Sequence, residues 1–71
     1  MSKLVILEEE IKNLDSGKEM WIGNDFDLNE MQSVIHLIKV LQNNGEIRIV
    51  DEHSESITGN HLIDIVRIQK L

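Results

Sequence analysis

The sequence predicts an α+β domain in which helices are followed by a C-terminal antiparallel β-hairpin. Three observations carry this. Leu28 to about Asn43 has the apolar period of a helix and signals at both ends. Glu46 to Glu52 and Leu62 to Gln69 are rich in β-branched residues and are separated by a turn signal. Asp15-Ser16-Gly17, Gly23-Asn24-Asp25, Asn43-Asn44-Gly45 and Thr58-Gly59-Asn60 cut the 71 residues into short pieces, with no linker, repeat or low-complexity run. One domain over 1–71 is expected.

The N-terminal piece has two readings. As a helix, Leu4, Leu7, Ile11 and Leu14 share a face, and Gly17 stops it. As a strand, only Lys3 to Leu7 would serve, because Glu8-Glu9-Glu10 breaks the alternation. The helix is favoured. The acidic run then reads as a solvated face near the N-terminal half, where the helix dipole favours carboxylates, with a docking patch as the alternative. Glu19 to Ile22 reads as a short extended stretch.

The long helix has Asp27 as its cap and Glu30 at capping-box spacing. Phe26 and Met31 stand at the positions of a hydrophobic staple. Leu28, Met31, Val34, Ile35, Leu37, Ile38 and Leu41 fall on one wide sector, so this is the central core helix. Gly45 follows as a left-handed stop. In the next piece Ile47 and Ile49 point to one side of a strand. Leu62 to Gln69 could gather a helical face, but Ile63, Ile65, Val66 and Ile68 favour a strand. The hairpin tip then holds Gly59 and Asn60, both suited to positive φ.

Composition bounds the function. The chain has 29 apolar residues, almost all bulky, with no Ala, which favours an ordered domain. Without Cys there is no disulfide framework, thiolate zinc site or cysteine nucleophile. No apolar run approaches a membrane span, and Leu4 to Leu7 is too short for a secretory signal. A cytoplasmic setting is expected. Net charge is −6, with 13 acids against 7 Lys and Arg. No basic stripe is present, so nucleic acid is an unfavoured partner.

An amphipathic helix, a polar residue, Gly and a strand follow one another over Val34-Ile35-His36-Leu37-Ile38-Lys39-Val40-Leu41-Gln42-Asn43-Asn44-Gly45-Glu46-Ile47. This ending, and the overall order of elements, resembles a winged-helix domain, in which a hairpin wing follows the last helix. The layout is similar to small Bacillus and prophage proteins of the YjcQ type. A full winged helix has three helices, whereas Lys18 to Asp27 leaves room for little more than one turn. No family site is carried over. Abundant Ile, Asn, Glu and Lys also has the look of an AT-rich genome, as in low-GC bacteria and their phages.

Several groups of residues invite a chemical reading. His53 and His61 flank the hairpin tip near Asp51, Glu52, Glu55 and Asp64, but their spacing fits no metal-ligand motif, and exposed loop histidines are the expectation. Ser54, Ser56, His53, His61 and Asp64 include triad residue types on one loop, without a strained elbow or oxyanion donors. The glycines form no phosphate loop. We therefore expect no enzyme, no cofactor and no metal. On the polar face of the long helix, Gln32, His36, Lys39 and Asn43 could meet a DNA groove, or simply face solvent. Trp21 is expected to fill a corner of the core, with a partner contact as the alternative. Ile57 at the hairpin tip is open between the two. The leading expectation is a small non-enzymatic module that binds a protein partner or a second copy of itself. The alternative is a DNA-binding regulator using the polar face of helix 28–43, which convergence of Lys39, Arg48, Arg67 and Lys70 would favour.

Overall fold

The computed structural model describes residues 2–71. The order is α1 (Lys3–Lys12), β1 (Glu19–Ile22), α2 (Leu28–Asn43), β2 (Ile47–Ser54) and β3 (Ile63–Lys70). The α+β expectation holds, with two helices against a three-stranded antiparallel sheet whose last two strands form the C-terminal hairpin.

Helix α2 is built as its local sequence dictates. The Asp27 carboxylate accepts from the Glu30 N–H at 2.7 Å, and the Glu30 carboxylate accepts from the Asp27 N–H at 3.0 Å. That satisfies two amides a helix start leaves open. Met31, Val34, Ile35, Ile38 and Leu41 are buried on the inner face, and Gly45 makes the left-handed exit at φ 76°.

The favoured reading of the N-terminal piece as a helix also holds. Ser2 caps α1 by accepting from the Val5 N–H, and Leu7 and Ile11 are buried. Two details differ from expectation. The helix ends at Lys12, and Gly17, at φ 88°, instead turns the chain into β1, donating to the Lys70 carbonyl at 2.7 Å. Glu8-Glu9-Glu10 therefore stand in the second half of α1, where the dipole gives them no help, and Glu8 is answered by Lys12 at 3.5 Å. The Lys70 ammonium caps the end of the helix, donating to the Ile11 and Lys12 carbonyls at 3.1 Å each.

The sheet order is β1-β3-β2, so β3 is central. Val66 and Ile68 are fully buried against the helices, while Ile22, Ile47, Leu7, Ile11 and the inner face of α2 complete one core. The hairpin register slips twice. Ile49 pairs with Ile68 and Asp51 with Arg67, leaving Val50 as an extra residue on β2. His53 pairs with Ile65 and Ser54 with Ile63, which makes Asp64 the extra residue on β3. At the tip, Gly59 has φ 78°, and the second left-handed residue is His61 at φ 54° rather than Asn60.

Candidate functional site

The site begins with a strand edge. In β1, Met20 and Ile22 face the core, and Glu19 and Trp21 face away from it. The Lys70 N–H donates to the Lys18 carbonyl at 2.8 Å. Every second residue of an antiparallel pair bonds across it, so Met20 and Ile22 continue the ladder to β3. Glu19 and Trp21 then turn their N–H and C=O to the open side.

Along that edge lies a cleft of about 240 Å³. Its lining includes Met20, Trp21, Ile22 and Gly23 in sequence. Side chains of neighbouring strand residues alternate between faces, so these residues share one cleft through the strand edge. The opposite wall is Lys3, Ile6, Leu7 and Glu10 of α1, at helical spacing. Phe26 and Asp25 also line it, and Ile65 of β3 adds apolar surface.

Gly23 makes this arrangement possible. A Cβ there would lie 2.5 Å from the Asp64 carbonyl oxygen and 3.1 Å from the Ile65 Cγ1. The lack of a side chain lets the chain pass close to β3 at the end of β1. Lys3 is held over the Phe26 ring at 5.6 Å, donates to the Asp25 carbonyl at 2.8 Å and pairs with Glu30 at 3.3 Å. The Glu10 and Asp25 carboxylates form no ion pair among the described residues.

Trp21 corrects the expectation that it fills a core corner: it is 57% exposed. Its alternation puts it on the sheet face opposite the helices. There the Arg67 guanidinium stacks over the indole at 5.0 Å and pairs with Glu19 at 3.4 Å. The Arg67 Nε is covered and has no hydrogen-bond partner among the described residues. Arg48 on the same face donates to Gln69 at 2.8 Å.

The remaining candidates are dispersed. Gln32 and His36 line an open groove between the helices, with Leu4, Val5, Leu37 and Val40. Lys39 and Asn43 are exposed on α2 but lie outside that lining. Ile57 is 93% exposed at the hairpin tip. The cations Lys39, Arg48, Arg67 and Lys70 do not converge. Arg48 and Arg67 occupy the outer sheet face, Lys70 caps α1, and Lys39 sits on α2 across the sheet.

In the hairpin, His53 Nδ1 and Asp64 Oδ1 meet at 2.7 Å, because the bulge turns Asp64 toward its neighbour strand. His61 does not join them, and no group of three or more His, Asp or Glu suited to a metal occurs among the described residues. No serine hydroxyl bonds the His53 ring among the described residues.

The sequence reading placed Glu55 among the acids near His53 and His61 and missed that it anchors its own loop. It is 5% exposed, though wrapped by its own loop rather than by the core. Its carboxylate accepts from the Thr58 hydroxyl, the Thr58 N–H at 2.9 Å and the Leu62 N–H at 3.3 Å. The Thr58 side-chain bond, then its backbone bond, holds the Glu55 carboxyl below its ordinary value. The Glu-x-x-Thr spacing was the available signal. The cleft had no comparable local signal, because it joins pieces distant in sequence.

No family model, curated protein or solved structure matches this chain. Among the described residues, no helix is long and apolar enough to cross a membrane.

Proposed function

We propose that the protein is a small non-enzymatic interaction module that binds a protein partner or a second copy of itself. The observation that carries this is the cleft beside β1, a hollow of mixed apolar and charged lining bounded by an open strand edge and adjoined by a half-exposed tryptophan. At about 240 Å³ it is smaller than the roughly 300–1,000 Å³ usual for small-molecule sites. It suits a few inserted side chains better than a substrate. Trp is also a residue type enriched where binding energy concentrates at interfaces.

A winged-helix-like assignment belongs to the same proposal. It is supported by the element order and by the hairpin loop 55–62 that follows the last helix, as a wing does in that layout. A cytoplasmic setting and a low-GC bacterial or phage origin rest on composition alone. The dispersal of the cations supports the interaction module over a DNA-binding regulator reading bases with Gln32, His36, Lys39 and Asn43.

The test is capture from the native host by the immobilised chain, with anisotropy of labelled mixed-sequence duplex DNA alongside. Capture of a protein competed by free wild-type chain but not by Trp21→Glu is expected, or a doubled solution mass that Trp21→Glu abolishes. DNA binding that weakens steeply with salt would overturn the module and favour the regulator.

A further inference from the structure

We propose that the open edge of β1 receives an extended peptide bearing basic side chains between apolar ones, added to the sheet as a fourth strand. This rests on the interaction-module reading and names the ligand class of its cleft.

The main chain supplies the first argument. Trp21 directs a donor and an acceptor into the side lined by the cleft, and an edge strand with unpaired groups templates another strand. The added strand would lie about 4.8 Å from β1, between it and the wall formed by α1. Side chains on one face of that strand would meet Ile6, Met20 and Phe26, and those on the other would meet Trp21 and the patch of Ile65 that Gly23 leaves uncovered.

Charge chooses the occupant. Among the lining residues, the ammonium of Lys3 is engaged by Glu30 and the Asp25 carbonyl. The carboxylates of Glu10 and Asp25 remain without an ion pair among the described residues. The whole chain carries −6, so a cationic segment is drawn toward this surface and an anionic one repelled. A second copy fits less well. Its β1 is Glu-Met-Trp-Ile, with no cation to answer Glu10 and Asp25, and it brings the same net charge.

The experiment uses an acetylated peptide of about eight residues alternating lysine and valine, long enough to pair along the whole of β1. The full chain is titrated by Trp21 fluorescence and by amide hydrogen exchange. Saturable binding that slows exchange at the Trp21 amide is expected. A glutamate–valine peptide should bind at least about tenfold more weakly. Of two lysine–valine peptides, one N-methylated at every lysine and one at every valine, each lacks the donors of one strand edge, and one of the two should bind more weakly by about tenfold or more. Glu10→Lys, an exposed change, should weaken the lysine peptide while leaving the far-ultraviolet dichroism unchanged.

Binding that leaves the Trp21 amide unprotected, or binding of both N-methylated peptides equal to that of the parent, overturns strand addition but leaves the interaction module standing. Absence of binding by every peptide also overturns it. Protection of Trp21 without peptide, together with a doubled mass, assigns the edge to a second copy and overturns the peptide. A Trp21 response to mixed-sequence duplex DNA that falls with salt defeats the module reading itself.

Discussion

The two open edges of the sheet are guarded very differently. The β2 edge is long, is broken by the bulge at Val50, and carries Arg48, Asp51, Glu52 and His53. Bulges and charges are the common means of keeping an edge from pairing with another chain. The β1 edge is four residues long, and its register with β3 is regular. Its one charge is Glu19, held by Arg67, and a partly apolar cleft runs beside it. Both edges lean on the same central strand, so stability does not explain the contrast. The difference lies in the chemistry at each border: one is kept closed, and the other offers main-chain groups beside apolar surface.

The largest change should come from the strand the edges share. Ile68 is fully buried on β3 and lies opposite Met20 of β1 and Ile49 of β2. Ile68→Ala should cost about 2–5 kcal/mol. In a chain this small that approaches the whole margin, and both edges should be lost in one thermal transition. Separate melting of β1 and β2 amides in this variant would show that β3 is not their common support.

Gly23→Ala should separate the edges. Its Cβ would sit 2.5 Å from the backbone oxygen of Asp64, an atom on the central sheet with little room to give. Forcing that contact should cost about 1–3 kcal/mol. Exchange should quicken at β1 amides while the β2–β3 hairpin keeps its protection. Equal loss in both would mean that Gly23 serves the whole sheet.

These contrasts mark what could be read from the sequence. Helix α2 was legible to its ends because its signals are local: Asp27 and Glu30 bond each other, and the apolar period is repeated over 16 residues. The hairpin was legible from its β-branched runs, though its bulges were not, since a slip at Val50 depends on packing across strands. The pairing of β1 with β3 was also hidden, because Trp21 finds Arg67 only in the folded chain. That gap produced the wrong expectation for Trp21. Alternation gives its side of the strand, but only the positions of the helices tell which side is covered. The cleft was illegible for the same reason, since Ile6, Met20 and Phe26 come from three separate pieces. The polar face of α2 was visible as a pattern, but its meaning depends on cations that the fold sends elsewhere.

Asp27→Ala gives an even-handed perturbation. It removes the cap of α2, which packs chiefly on β2 and on β3, the strand both edges share. About 1 kcal/mol should be lost, or roughly 4–8 °C in melting temperature for a chain of this size. Protection at the two edges should fall in parallel. Unequal loss would show that α2 supports one edge more than the other.

The smallest effect belongs to the hairpin tip, where the guarded edge ends. Glu55 gathers the Thr58 hydroxyl and the Thr58 and Leu62 amides, and these bonds require its carboxylate. Its pKa is lowered in the folded chain, chiefly by the Thr58 side-chain bond. The stabilisation is therefore complete above the ordinary value of 4.5 and is lost as pH falls through the lowered one. On acidification below the ordinary carboxylate range, Thr58 and Leu62 amide exchange, corrected for its intrinsic pH dependence, should lose protection, while Trp21 at the other edge keeps its environment. Glu55→Gln should give the same local loosening at neutral pH, with little change in melting temperature, because the amide keeps the shape but not the charge. Acid-induced change appearing at Trp21 together with Thr58 would tie the two edges into one unit, and the contrast between them would then need another cause.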